Sequence, residues 1–163
     1  MLQHGPFSSG QPIPAAWATD VEDHVNYQYH GDRVRHLAPN PSLQVSGMSY
    51  HTDGYLYAAH NSTGIMPVAF NEGDRIKALG VKRMGAGPWG WITVELRHIS
   101  DSGVATLIAV TARDPQDEWI LSKEALDPPH TVGTDGHYDL MLTLSAQNHR
   151  MRDIQITYDR PAP

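Results

Sequence analysis

The sequence contains no cysteine, which excludes disulfide stapling, cysteine-ligated metals and thiol nucleophiles together. It has no apolar run near the ~20 residues that a membrane-spanning helix needs. The opening Met1-Leu2-Gln3-His4-Gly5-Pro6 has neither a basic leader nor an apolar core, so no signal peptide is expected. Positive charge is scarce as well: 12 Lys and Arg stand against 18 Asp and Glu, a formal net charge of −6. The basic residues are scattered rather than striped, so the electrostatic footprint of a nucleic-acid binder is missing. These absences predict a protein made in a cytoplasm, without nucleic acid or membrane insertion among its partners.

What the sequence does have is turn chemistry. The 163 residues include 14 Gly and 12 Pro, which cut the chain into short segments. The clearest block runs from Asp74 to Val110. Asp74–Met84 and Trp89–Ile99 are strand-like and separated by Gly85-Ala86-Gly87-Pro88; Val104–Thr111 follows the turn Ser100-Asp101-Ser102-Gly103. Ile92, Val94, Leu96 and His98 share one face of the second run, with Trp91, Thr93, Glu95 and Arg97 on the other. A period of two is that of a strand with one buried face. Further on, Tyr138, Leu140, Leu142 and Leu144 alternate with polar neighbours, as do Ile154, Ile156 and Tyr158.

Shorter strands are expected at Val34–Leu37, Leu43–Val45, Tyr55–Ala58, Ile65–Phe70 and Trp119–Leu121. Pro67 marks an edge or bulge. Gly80 suits a bulge where Arg75–Met84 changes face, and Pro128-Pro129-His130 reads as a loop. About nine or ten strands at this spacing predict an all-β fold: an antiparallel β-sandwich of jelly-roll type over residues 32–163. The expected core is Ile76, Ile92, Val94, Leu96, Leu107, Ile108, Val110, Leu140, Leu142, Leu144, Ile154 and Ile156.

Residues 1–31 read differently. Gly5-Pro6, Pro12 and Pro14 predict an extended N-terminal arm. Ala15–His30 is the one convincing helix, with Trp17, Val21, Val25 and Tyr29 at four-residue steps and Gly31 placed as its cap. Ile13, Trp17, Val21, Val25 and Tyr29 are therefore candidate docking residues for a partner or a second copy.

No chemistry-bearing motif stands out. The ten histidines show no His-x-His, His-x-x-x-His or His-Glu-x-x-His spacing. His51 and His60 flank one hairpin and His130 and His137 one loop, which leaves a site built across loops or a symmetry axis as the lesser reading; solvated or hydrogen-bonded histidines are the default, and no metal or cofactor is expected. Glu95, Asp139 and Asp153 lie on different strands at separations the sequence does not fix, and no nucleophile elbow or phosphate-cradling loop occurs. No catalytic residue is assigned and an enzyme is not expected. Aromatic residues are the better lead: Tyr55, Tyr57, Trp89 and Trp91 are candidate stacking residues for a sugar ring.

Two stretches carry a resemblance. Pro12-Ile13-Pro14-Ala15-Ala16-Trp17 through Asn26-Tyr27, followed by Asp32-Arg33-Val34-Arg35, resembles the N-termini of small virion proteins of tailed phages. Val68–Ile76 with the closing Arg152–Tyr158 is similar to the β-sandwich modules of phage head-fibre, capsid decoration and tail-associated proteins. That resemblance implies a non-enzymatic structural subunit of a virion, a homotrimer docked by its arm and helix onto a major capsid or tail protein. The alternatives are a tail-fibre or baseplate component, or a carbohydrate-binding host-attachment module using the exposed Trp and Tyr residues.

Overall fold

The structure is a computed structural model and describes residues 31–40, 43–44, 47–85, 91–111 and 118–160. The expected arm, the helix, the docking residues Ile13, Trp17, Val21, Val25 and Tyr29, and Trp89 lie outside the described residues.

The described chain forms eleven strands: β1 (Arg33–Leu37), β2 (Leu43–Gln44), β3 (Met48–His51), β4 (Tyr55–Ala58), β5 (Ser62–Val68), β6 (Arg75–Met84), β7 (Ile92–Ile99), β8 (Ala105–Val110), β9 (Ile120–Thr131), β10 (His137–Leu144) and β11 (Arg150–Asp159). They make two antiparallel sheets. One has the order β3-β4-β11-β6-β9, with β1 also paired to β11; the other has the order β2-β5-β10-β7-β8. The fold is all-β, two sheets packed as a sandwich.

The alternating runs explain why the sheets face one another. Leu140, Leu142 and Leu144 of β10 and Ile92, Val94 and Leu96 of β7 are fully buried, as are Leu79, Val81, Ile154 and Ile156 from the opposite sheet. Cross-strand pairing keeps them level: Leu140 lies opposite Leu96, and Leu142 opposite Val94. Each such side chain contributes about 1.5–3 kcal/mol when removed from water.

Four details differ from the sequence reading. First, β6 and β7 are not neighbours; the chain changes sheets between them, and β7 pairs with β8 and β10. Second, the face change in β6 occurs at Lys77, not Gly80. The partners of β11 step from Ala78 to Ile76, and those of β9 do the same. The extra residue lets the Lys77 ammonium reach Asp32 at 2.6 Å and Asp159 at 2.9 Å. Third, Pro128-Pro129-His130 belongs to β9, a twelve-residue strand. Residues 126–129 fall in its register gap, between Ala125 opposite Ala78 and His130 opposite Ile76, where the missing proline N–H donors cost no ladder bond. Fourth, β8 is an outer strand: Leu107 is 55% exposed, and only Ala109 of this strand is fully in the core. Pro67 fits the expected edge position: among the described residues β2 pairs only with residues 64 and 65, and no strand pairs with Pro67 on that side.

Candidate carbohydrate site

On β4, Leu56 and Ala58 point into the core, so Tyr55 and Tyr57 stand on the outer face. The hairpin turn returns the chain so that His51 of β3 lies opposite Tyr55. Their rings stack at 4.6 Å with an interplanar angle of 6°. Tyr57 meets Tyr55 edge-on at 6.1 Å, and the Trp119 ring lies 6.0 Å from that of Tyr55, tilted by 56°.

The neighbouring strand adds cations. On β11, Met151 is buried, which turns Arg150 and Arg152 outward beside the tyrosines. Arg150 lies opposite Tyr57 in the ladder. Its guanidinium carbon is 5.2 Å from the Tyr55 ring centre, and that of Arg152 is 4.2 Å from the Trp119 ring centre. Both distances are those of cation–π contacts.

Between this aromatic group and the β10–β11 turn is a pocket of about 330 Å³. Tyr55, Tyr57 and His51 form its apolar wall; Gln147, Asn148 and Arg150 bring amide and guanidinium groups to its rim. Asn148 holds a left-handed backbone, φ 72°, as a tight turn requires. Flat rings beside in-plane donors suit a sugar, whose ring has an apolar C–H face and a rim of hydroxyls.

Two other concavities lack this combination. One, about 530 Å³, is bordered by Phe70 and Tyr138 at the start of β10, roughly 26 Å from the first along that strand. Its lining brings no amide or guanidinium side chain, and Tyr138, edge-on to Phe70 at 5.3 Å, is buried with its hydroxyl 2.9 Å from His130 Nε2. Burial and the neighbouring His98 push His130 below the ordinary histidine pKa. The other concavity, about 540 Å³, runs between the outer strands β8 and β9 and has no Phe, Tyr or Trp in its lining.

The candidates read from the sequence divide accordingly. Tyr55 and Tyr57 come together in one pocket. Trp91 is 48% exposed but precedes β7 in the other sheet, and among the described residues it has no ring contact with either tyrosine. Trp119, His51, Arg150 and Arg152 were missed as site residues. Trp119 sits at the start of β9, and only the strand order β4-β11-β6-β9 brings it toward Tyr55. The histidine pairs do not form a metal set: among the described residues no three His, Asp or Glu side chains could hold an ion. Asp139 is engaged by Arg97 through two bonds of 2.8 Å, and Asp153 by His36 at 2.6 Å and Gln155 at 2.8 Å.

No family model and no curated protein matches the chain. Solved structures do. The C-terminal CBM6 of LamC, a marine laminarinase from Zobellia galactanivorans, aligns over 77% of this chain and 99% of its own, with a TM-score of 0.54 at 12% identity. CsCBM6-3 from Clostridium stercorarium, solved with cellobiose, aligns over 80% and 94%, TM-score 0.46, 13% identity. A β-1,3-glucan-binding CBM6 from Bacillus halodurans aligns over 78% and 95%, TM-score 0.46, 16% identity. At these identities the likeness is one of fold.

It corrects the resemblance to phage virion proteins. The LamC module, with its TM-score of 0.54, is a carbohydrate-binding module, not a capsid decoration, head-fibre or tail protein. Of the segments that carried the resemblance, Pro12–Tyr27 lies outside the described residues, and the two later ones have a plainer meaning. Asn71-Glu72-Gly73-Asp74 is the turn into β6, with Gly73 at φ 79°, and Arg152–Tyr158 lies within β11, which pairs with β6 from Arg150 to Asp159. Any sandwich joined this way needs such a turn and such an alternating strand, so the motifs identify an architecture and no particle. The virion subunit reading is withdrawn, together with its capsid or tail partner.

Proposed function

We propose that this chain is a carbohydrate-binding module and that sugar is held in the pocket walled by Tyr55 and Tyr57. The observation that carries the reading is the convergence of ring faces with the Gln147, Asn148 and Arg150 donors around one 330 Å³ concavity. That volume lies at the small end of ligand sites, suited to one or two sugar units of a longer chain. The likeness of fold to the LamC module supports it. The proposed role is binding without turnover.

In this reading the tyrosines supply apolar area at low entropic cost, since each has few rotatable bonds to freeze. The polar rim fixes orientation. A sugar hydroxyl that exchanges water for an amide or guanidinium gains little net energy, but a misplaced one leaves a donor unpaired, and so the rim sets selectivity.

The test is isothermal titration calorimetry of the full chain against a panel: cellobiose, xylose oligomers, β-1,3-glucan oligomers, and oligomers carrying uronate or sulfate groups. Saturable binding to at least one, weakened about tenfold or more by Tyr57→Ala and unchanged by Trp91→Ala, is expected. No binding across the panel overturns the reading. Binding lost with Trp91→Ala and kept with Tyr57→Ala moves the site to the other sheet.

A further inference from the structure

The arginines of this patch carry a more specific message, which rests on the carbohydrate reading. Among the described residues, the guanidinium groups of Arg75, Arg97 and Arg160 each meet a carboxylate at 2.8 Å or less. Arg150 and Arg152 do not. Among the described residues neither has a carboxylate partner or a hydrogen-bond acceptor; each is held by a ring alone. A guanidinium seated over a ring has its flat side occupied and its in-plane N–H donors free, and those donors match a carboxylate or sulfate in a forked geometry.

The surrounding charges sharpen the contrast. The chain is acidic overall, yet the described acids nearest the patch are committed or marginal. Asp153 follows Arg152 directly, but it is bound by His36 and Gln155 and lies 3.3 Å from Lys82. Burial alone would raise its pKa; His36, Gln155 and Lys82 hold it below the ordinary carboxylate range, so it stays an engaged anion. Asp53 is solvent-exposed and lies 3.4 Å from His51 at the pocket's outer side. Glu118 is exposed beside Trp119. Two arginines two residues apart on one outer face, unneutralised among the described residues and supported by aromatic rings, are a costly surface for a binder of neutral sugar.

We infer that the ligand is an acidic glycan: a polysaccharide whose sugar rings carry carboxylate or sulfate groups. One ring would lie against Tyr57 and Tyr55, and its anionic substituents would meet Arg150 within the pocket and Arg152 next to it. The 2-residue offset along β11 separates the two guanidinium groups by roughly 7 Å of strand. Adjacent anionic units of one chain can therefore be engaged together.

The experiment uses the same full chain, with oligogalacturonate as the carboxylate probe, a sulfated galactan oligomer as the sulfate probe, and neutral galactan and xylan oligomers as controls. At least one anionic probe is expected to bind about tenfold or more tightly than its neutral control, and to weaken steeply as NaCl rises from 0.05 to 0.5 M, values chosen to span the screening range. Which anionic probe wins tells uronate from sulfate. The double variant Arg150→Gln, Arg152→Gln should lose that preference while keeping its thermal midpoint. Tyr57→Ala should weaken the anionic probe too. Neutral probes bound as well as acidic ones overturn the inference and leave the carbohydrate reading standing; binding to none of the four, nor to any member of the wider panel, overturns both. Anionic binding that survives the double variant, or that is indifferent to Tyr57→Ala, shows a diffuse charge effect and also overturns it.

Discussion

Asp74, fully buried, is bound by Arg160 through Nε at 2.8 Å, and the adjacent residues repeat the pair in reverse, with Arg75 bound to Asp159. β6 begins where β11 ends, so an Asp-Arg dipeptide at one end meets an Asp-Arg dipeptide at the other. The two pairs fasten the turn that opens the longest strand pairing of the first sheet. Asn71 completes the site by donating its backbone N–H to Asp74 at 3.0 Å.

Removing the Asp74 side chain should therefore destabilise the fold. Burial by itself would raise the Asp74 pKa, but Arg160 and Asn71 outweigh it and hold the carboxyl below its ordinary value. Asp159 is held low chiefly by Arg75 and then by Lys77. A carboxyl with a depressed folded pKa contributes fully above its unfolded pKa of about 4, and the contribution fades as pH falls through the lower folded value. Urea unfolding should show stability dropping below about pH 4. Asp74→Ala should cost about 2 kcal/mol at pH 7, less than for a fully buried pair because Arg160 is partly solvated, and its stability should fall less steeply in acid.

A second acid response should start at higher pH. His149 is fully buried in the β10–β11 turn, and burial pushes its pKa below the ordinary 6.5, with the Trp91 carbonyl opposing in part. Here the unfolded chain takes up a proton that the folded chain refuses. Stability is thus unaffected above the unfolded pKa and declines as pH drops from about 6.5 toward the folded value. Stability against pH should slope downward between pH 6.5 and 5 in the parent, and the slope should be shallower in His149→Leu. An equal slope in both proteins would place the titrating group elsewhere.

Gly136 is the position least open to a side chain. It adopts φ 73°, and a Cβ there would lie 1.9 Å from the Ile99 carbonyl oxygen. Gly136 N also donates to Asp101 Oδ1 at 3.0 Å, which ties the β9–β10 loop to the β7–β8 turn. Gly136→Ala must move backbone against backbone, so a loss of about 2 kcal/mol or more is expected, read as a lower urea midpoint with an unchanged slope. Gly73→Ala is the useful control: its φ of 79° is similarly left-handed, but nothing lies within 4 Å of the added atom. It should cost only the conformational part, about 1 kcal/mol.

The sheets were legible in the sequence wherever one face alone is buried. Tyr138–Leu144 and Ile92–Leu96 alternate because one side meets the other sheet, and period two follows directly. Only the start of β9, at Trp119–Leu121, was legible, because an outer strand with one neighbour among the described residues has no strict apolar face and can carry two prolines in a register gap. The candidate site was half legible for a related reason. Tyr55 and Tyr57 are two residues apart on one strand, so their shared face could be read directly. Trp119 and Arg152 are 33 residues apart in sequence, and their 4.2 Å contact depends on a strand order that local patterning does not encode. The same gap between local pattern and pairing made the turn before β6 look like a family signature.

Trp119 offers an optical test of the site that does not depend on knowing the affinity. Its ring lies under the Arg152 guanidinium and 6.0 Å from Tyr55, so a ligand that draws Arg152 onto its own anionic group, or seats against the tyrosines, changes the surroundings of this indole. Trp91, in the other sheet, should be indifferent. Titration with a bound oligosaccharide should therefore shift or quench tryptophan emission in the parent and in Trp91→Phe. Trp119→Phe should lose most of the change and keep binding within about threefold, because stacking in the pocket itself is assigned to the tyrosines. A full fluorescence response in Trp119→Phe would show that the ligand sits near another tryptophan, and would argue against the β4–β11 face as the binding surface.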